Sequence, residues 1–283
     1  MTWRTGEVDT DPWSAPSGAP AGWYGDPSGR PFVRYFDGHR WTDHTAAAAP
    51  GVRADHPTLP MIVAVGAVVV LTCSLVVSRV MLEHLVQFDW PIALYAAISV
   101  VTGYGPSVAW CWYATGRWGT GRRLDDLGLR LRWSDLGWGP VVWMASIVVE
   151  IAVVAVVQAL HIPLVSNTEG IGELDLDRTY VIALLVTAVV AAPLVEEMVF
   201  RALVLRGFLS RVGPVVAIGG QGVLFGLAHV DPARGAGNVG LVVILGAVGV
   251  VFGGAAFLLR RIGPTVLAHA IFNGVVMAVV LTR

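Results

Sequence analysis

The chain has 283 residues, of which 55% are hydrophobic and 14% are charged, and its formal net charge at pH 7 is −1. Soluble domains carry about 25% charged residues, so this composition excludes an ordinary soluble enzyme. The balanced charge supplies no basic field for nucleic acid, and we expect no nucleic-acid partner. The mean hydropathy of +0.67 and several long apolar runs indicate a polytopic protein of the lipid bilayer.

The N-terminal region is more polar than the rest of the chain. Residues 1–19 are rich in Pro, Gly and small polar residues, which predicts a disordered tail. Within residues 20–45, the runs PFVRYF and HRWT flank Asp37-Gly38, a pattern typical of a β-hairpin in a small Trp-rich module. A module of about 26 residues is short for independent folding, so we expect it to rest on something else. Residues 46–57 are predicted to be a linker.

The remainder, residues 58–283, is predicted to be a transmembrane helical domain. It contains seven Val-, Ala-, Leu- and Gly-rich segments, each long enough to supply a spanning helix. They are residues 59–78, 90–114, 138–160, 179–200, 214–230, 239–259 and 263–282. The fold class predicted is therefore an all-α polytopic membrane protein, a bundle of about seven transmembrane helices preceded by a small β-hairpin module.

Arginine placement predicts the orientation in the membrane. Arginines crowd the connections after the second, fourth and sixth apolar segments, whereas the alternate connections carry single arginines. The positive-inside rule then places the N-terminus in the cytoplasm and the C-terminus outside the cell. The amphipathic stretch from Arg122 to Asp135 is predicted to lie along the cytoplasmic face.

Two adjacent carboxylates lie in the fourth apolar segment, in the string AAPLVEEMVFRALVLRGF. Ionisable residues inside membrane segments are costly and are functional candidates by default. Arg201 follows Glu197 by four residues and shares its helical face, but it is rotated by about 140° from Glu196. Arg201 can therefore neutralise Glu197, while Glu196 points elsewhere and keeps a free carboxylate. The structural alternative is a charge cluster at the membrane interface.

Two histidines and an asparagine occupy later segments. His229 ends the run GVLFGLAHV, four residues after Phe225, and is either a catalytic imidazole or a packed helix-end residue. His269 and Asn273 share one face of the last helix. Both can donate hydrogen bonds, so the pair suits either a developing oxyanion or an interhelical polar clamp.

The spacing around Gly213-Pro214, a turn signal, predicts that two of these groups meet. Glu196 lies 17 residues before Gly213 and His229 lies 16 residues after it. At 1.5 Å per residue, both side chains are about 24–25 Å from the turn, so an antiparallel hairpin brings them to one level. A general base and its partner need this proximity.

Two further sets of residues need an explanation. Glu150 falls in the middle of the third apolar segment and is a candidate for supporting the site residues from behind, either facing a cavity or hydrogen-bonded as the neutral acid. The glycines Gly222, Gly226, Gly249 and Gly253 have small-xxx-small spacing, which predicts close helix packing without a ligand role.

Three motifs in series resemble a known family. EEMVFR (Glu196–Arg201) is similar to the EExxxR motif of the CPBP intramembrane proteases, which include CAAX prenyl endopeptidases and bacteriocin-processing proteins and are also called the Abi family. FGLAH (Phe225–His229) matches its FxxxH motif and HAIFN (His269–Asn273) its HxxxN motif. The resemblance covers roughly residues 140–283, the expected protease core.

The resemblance implies an intramembrane endopeptidase acting on membrane-associated or hydrophobic peptide and protein substrates. Glu196 would activate water with help from His229, and His269 and Asn273 would stabilise the oxyanion. Glu197, Arg201 and Phe225 would be structural supports.

The resemblance leaves two mechanisms open, with and without a metal. Zinc could be held by Glu196, His229 and His269 with water as fourth ligand. Because the HExxH signature is missing, we expect no cofactor and a metal-independent glutamate mechanism.

Other functions are compatible with parts of this pattern. A catalytically silent membrane scaffold or bacteriocin-immunity protein would keep the fold without the chemistry. A small-solute transporter would need inverted repeats or paired broken helices, which the sequence does not show. The strings GWYGDP (Gly22–Pro27) and YFDGHRWTDH (Tyr35–His44) resemble a Trp-rich actinobacterial domain of unknown function, for which we expect a cytoplasmic docking partner.

Overall fold

The computed structural model describes residues 21–27, 32–47, 59–168 and 178–282. The predicted tail, residues 1–19, and most of the predicted linker, residues 46–57, lie outside the described residues. The chain divides into two compact units, residues 1–57 and residues 58–283.

The first unit contains a three-stranded antiparallel sheet. Its strands are β1 (Gly22–Gly25), β2 (Phe32–Phe36) and β3 (Trp41–Ala47), and their order in the sheet is β1-β2-β3. The predicted hairpin joins β2 to β3. Strand β1, which pairs with β2 through Gly22 and Phe36, was not predicted from the sequence.

The turn between β2 and β3 is held by the Asp37 carboxylate. Its Oδ1 accepts hydrogen bonds from the backbone N–H groups of His39 and Arg40, both at 2.8 Å. These bonds, led by the one from Arg40, lower the pKa of Asp37. Gly38 has a φ of 97°, which only glycine adopts without strain. The chemistry of Asp37-Gly38 thus explains why the chain reverses here.

Aromatic rings make the core of the small sheet. Phe36 is buried, and its ring centroid lies 5.4 Å from that of Trp41 and 6.2 Å from that of Tyr24. Tyr24 and Trp41 meet edge to face at 6.0 Å. Trp23 is on the other face and is exposed. Three of the aromatic side chains of this module therefore pack together and form its small core.

The second unit is helical, as predicted. Its eight helices within the described residues are α1 (Met61–Leu85), α2 (Ile92–Trp118), α3 (Arg123–Asp126), α4 (Asp135–Ala159), α5 (Arg178–Leu209), α6 (Pro214–Leu227), α7 (Asn238–Leu259) and α8 (Gly263–Leu281). Six of these, all except α3 and α6, are long and apolar enough by length and composition to cross a membrane. The chain is a multi-pass membrane protein.

The connections with many arginines meet at one end of the bundle. Arg261, between α7 and α8, is ion-paired with Asp135 at 2.7 Å, and Arg206 of α5 donates to the backbone carbonyl of Asp126. The other end is held by a 2.6 Å ion pair between Arg79 of α1 and Asp231. The grouping of connections that the arginine pattern predicts is thus present in the structure.

Helix α5 is irregular on both sides of the two glutamates. Turns of π-helix at Thr187–Ala191 and Met198–Val204 flank the α-helical Ala192–Glu197. Such turns are rare and occur frequently at functional sites, because they redirect side chains within a continuous helix. This part of α5 is the centre of the core: Val199, Leu203 and Val204 are fully buried.

Helices α6 and α7 pack through glycine. A Cβ at Gly226 would lie 2.4 Å from the carbonyl oxygen of Val242, and one at Gly249 would lie 3.0 Å from the Cα of Gly222. The small-xxx-small prediction is confirmed for this helix pair. Close packing here fixes the depth at which the C-terminal end of α6, and with it His229, is held.

Candidate active site in the membrane domain

The two adjacent glutamates of α5 face different surroundings. Glu197 is fully buried, and its Oε1 accepts a hydrogen bond from Nη1 of Arg201 at 2.9 Å. The same oxygen lies 3.0 Å from Nδ1 of His269 on α8. The ion pair that the four-residue spacing predicts is present, and it also anchors a histidine of another motif.

Arg201 is enclosed by aromatic rings. It is 2% exposed, and its guanidinium carbon lies 4.4 Å from the ring centroid of Phe225 and 5.2 Å from that of Phe252. The carbonyl oxygen of Gly249 accepts from Nη2 at 3.5 Å. Burying a guanidinium requires both a counter-charge and desolvated contacts of this kind.

Glu196 points into a different environment. It is 9% exposed, and its Oε1 accepts a 3.0 Å hydrogen bond from the hydroxyl of Tyr104 on α2. Its Oε2 is buried and has no hydrogen-bond partner among the described residues. This oxygen lies 3.9 Å from Nε2 of His229 and 3.9 Å from Nε2 of His269. The predicted meeting of Glu196 and His229 across the α5–α6 hairpin is therefore confirmed.

The other nitrogen of each imidazole is already engaged. Nδ1 of His229 lies 2.8 Å from the carbonyl oxygen of Phe225, which can only accept, so this nitrogen carries a proton. Nδ1 of His269 donates in the same way to the carboxylate of Glu197. Both rings are thus oriented with Nε2 towards Glu196. The 3.9 Å between Oε2 of Glu196 and each Nε2 is too long for a direct hydrogen bond, and a bridging water can connect polar atoms at such a separation.

These groups open into a cavity of about 510 Å³. Glu196, His229, His269 and Asn273 line it together. The rest of the wall is mainly apolar and includes Leu241, Ile244, Leu245, Val248, Phe272 and Val276. An apolar cavity with a few convergent polar groups is the usual form of a binding site.

Asn273 and Glu150 occupy the cavity wall in different ways. Nδ2 of Asn273 donates one hydrogen bond to the carbonyl of Ala188 at 2.7 Å, which leaves its second N–H for a ligand. Glu150 also lines the cavity, from α4, and no hydrogen bond ties it to another candidate residue in the described parts of the chain. Glu150 thus lies on the cavity wall, and a role in supporting the site residues stays a prediction.

Tyr104 is the site residue that sequence reasoning missed. It lies 92 positions before Glu196, on a helix without carboxylates. A search for charged side chains in apolar segments does not select a tyrosine. The sole signal was a tyrosine in the middle of an apolar segment, where its hydroxyl needs a partner.

The separations between the candidate zinc ligands can be compared with those of a tetrahedral zinc site. Tetrahedral zinc with bonds of about 2.0–2.2 Å holds its N and O ligands roughly 3.4 Å apart. The 3.9 Å separations between Glu196 and both imidazoles are wider. No group of three His, Cys, Asp or Glu side chains in the described residues is arranged to hold a metal ion. A mechanism without a metal stays a prediction.

Comparisons with known proteins agree with the motifs. Residues 178–275, less than half of the chain, match the family described as Type II CAAX prenyl endopeptidase Rce1-like. Residues 21–54 match the family described as a protein of unknown function, DUF2510. No curated protein and no solved structure matches the chain. The first match contains all three motifs, confirms the resemblance to CPBP proteases, and supports an intramembrane CAAX-type protease.

Proposed function

We propose that this protein is an intramembrane endopeptidase that hydrolyses peptide bonds in membrane-associated or hydrophobic peptide and protein substrates. The observation that carries the proposal is the buried Oε2 of Glu196, which has no hydrogen-bond partner in the described residues and faces two imidazole nitrogens at 3.9 Å. In this mainly apolar cavity, the gap between Oε2 and the imidazoles is a place for a water molecule next to a base.

In the proposed mechanism, water lies between Glu196 and His229. Oε2 of Glu196 takes a proton from the water while the water oxygen forms a bond to the substrate carbonyl carbon. The second O–H stays on the water oxygen and donates a hydrogen bond to Nε2 of His229, which is unprotonated because Nδ1 carries the ring proton, and this bond orients the water. As the tetrahedral intermediate collapses, the C–N bond breaks and Glu196 returns the proton to the leaving nitrogen.

The oxyanion is proposed to be held by His269 and Asn273. A donor at Nε2 of His269 requires the doubly protonated ring, and the Glu197 carboxylate 3.0 Å from Nδ1 is a partner for that cation. With His269 protonated, the formal charges of Glu196, Glu197, Arg201 and His269 add to zero, which suits a low-dielectric site. The free N–H of Asn273 is the second donor.

The proposal is tested by replacing Glu196 with glutamine. The amide has nearly the same shape but cannot take the proton, so turnover should fall by about 10²–10⁴-fold or more. The measurement is cleavage of a membrane peptide by purified protein in detergent or liposomes. Glu83→Gln, an exposed change on α1, is the matched control and should cleave at the normal rate. A Glu196→Gln variant that cleaves as fast as the unchanged protein would refute the mechanism.

Substrates can be found with the same pair of proteins. Membrane-bound peptides from cells with the unchanged protein are compared with those from cells with Glu196→Gln, and processed forms that depend on Glu196 are identified by mass spectrometry. If no peptide differs while both proteins are abundant in the membrane, the scaffold or immunity function is favoured.

We further propose that catalysis needs no metal. Prolonged chelation followed by dialysis should leave the cleavage rate unchanged within twofold, because the proposed steps use only side chains and water. The check is peptide cleavage together with elemental analysis of the dialysed protein. Loss of activity that zinc restores would overturn this proposal.

A further inference from the structure

Tyr104 contacts the proposed base from outside the part of the chain that matches the protease family. It lies on α2, whereas the match spans residues 178–275. Its hydroxyl donates to Oε1 of Glu196 at 3.0 Å, and its ring packs against the buried core around α1 and α5. The first half of the membrane domain thus contributes a polar atom to the site.

The two oxygens of Glu196 are made different by this contact. Oε1 is engaged by the phenol, and Oε2 faces Nε2 of His229 and Nε2 of His269. The terminal torsion of a glutamate is broad and roughly two-fold, so an unanchored carboxylate samples orientations in which neither oxygen is aligned with the imidazoles. A hydrogen bond to one oxygen removes much of that freedom.

We propose that Tyr104 is a positioning residue for Glu196: its hydroxyl holds Oε1 so that Oε2 is presented to the water that lies between Glu196 and His229. This inference rests on the proposed function. Tyr104 touches neither water nor substrate in this scheme, and it acts through the carboxylate alone. A base held in place before the substrate arrives needs less reorganisation in the transition state.

The opposing explanation is that Tyr104 only fills space. Tyr104→Phe separates the two, because it keeps the ring and its packing and removes only the hydroxyl. Tyr113→Phe, on the same helix with an exposed side chain, is the matched control.

The expected result for Tyr104→Phe is a fall in kcat of about tenfold to a hundredfold, the range for loss of a hydrogen bond to a charged group. KM should change less than twofold, because the hydroxyl does not touch substrate. The thermal unfolding midpoint should match that of Tyr113→Phe. In the Glu196→Gln background, Tyr104→Phe should have no further effect, because the two residues act as a unit.

A spectroscopic measurement tests the same contact without substrate. The carboxylate stretching band of Glu196 is assigned by the infrared difference between the unchanged protein and Glu196→Gln. This band should shift in Tyr104→Phe and stay in place in Tyr113→Phe.

The outcomes distinguish the two proposals. Normal kcat and an unshifted band in Tyr104→Phe, with Glu196→Gln inactive, would overturn the positioning role and leave the protease function standing. Normal cleavage by both Tyr104→Phe and Glu196→Gln would overturn both. A rise in KM with kcat unchanged would show that the phenol acts on substrate binding and would also overturn the positioning role.

Discussion

Glu196 and Glu197 are neighbours in the chain but have different partners. Glu197 is neutralised by Arg201 and hydrogen-bonded to His269, so it supplies the carboxylate partner of both side chains. Oε1 of Glu196 accepts a hydrogen bond from the Tyr104 hydroxyl, whereas its buried Oε2 has no hydrogen-bond partner among the described residues. The first arrangement stabilises the fold, and the second suits proton transfer. We therefore expect replacement of Glu197 to affect mainly stability and replacement of Glu196 to affect mainly turnover.

Replacing Glu197 with alanine should lower the free energy of unfolding by about 3–5 kcal/mol, because it leaves the buried Arg201 without a counter-charge. The measurement is unfolding by denaturant in detergent micelles. Glu83→Ala removes one partner of the exposed Arg79–Glu83 pair and should leave the unfolding curve nearly unchanged. Equal stability of Glu197→Ala and Glu83→Ala would contradict this assignment.

At the scale of helices, the site depends on where α5, α6 and α8 meet. Helix α6 has 14 residues, and His229 lies just beyond its end. The position of that imidazole is therefore set by how closely α6 approaches α7. Glycines make the approach possible, since a methyl group at Gly226 would lie 2.4 Å from the carbonyl oxygen of Val242.

Gly226→Ala should therefore push α6 away from α7 and move His229 relative to Glu196, because the clash is with backbone rather than a flexible side chain. We expect at least a tenfold loss of cleavage and a lower thermal midpoint. The matched control is Gly219→Ala on the same helix, where a Cβ meets nothing within 4 Å. This control should keep full activity. If the two variants behave alike, close packing at Gly226 does not position the imidazole.

At the scale of the whole membrane domain, helix lengths differ widely. Helix α5 has 32 residues, or about 48 Å, while the hydrocarbon core is about 30 Å thick. Its last turns reach the arginine-rich end, where Arg206 bonds to the Asp126 carbonyl. Helix α6 spans only about 21 Å, and the irregular Pro232–Gly237 follows it. Irregular backbone at such a depth is tolerated where it is covered by protein or lines a cavity.

The short α6 decides the topology that we propose. Six long helices alone would return the chain to its starting side, whereas in the proposed topology the shorter apolar helix α6 makes a seventh crossing. We expect the N-terminus in the cytoplasm and the C-terminus outside, in agreement with the arginine pattern. Alkaline phosphatase fused after residue 283 should be active, and the same enzyme inserted in the loop near Arg122 should be inactive. An inactive C-terminal fusion, with a fluorescent protein at the same place folding normally, would contradict a seventh crossing.

The sequence by itself determined the membrane class, the helical segments, and the different directions of Glu196 and Glu197 on their helix. It also predicted that Glu196 and His229 lie at the same distance from the Gly213-Pro214 turn and therefore come close together. These features follow from composition and from the 3.6-residue period, which fixes side-chain directions within one helix regardless of what surrounds it.

Only the tertiary structure decided which helix faces meet. The bond from Tyr104 to Glu196 and the contact between His269 and Glu197 join residues 92 and 72 positions apart. The π-helical turns of α5 and the added strand β1 likewise have no local signal in the sequence. Crossing angles and close approach depend on packing over the whole bundle, so a pattern read along one segment does not contain them.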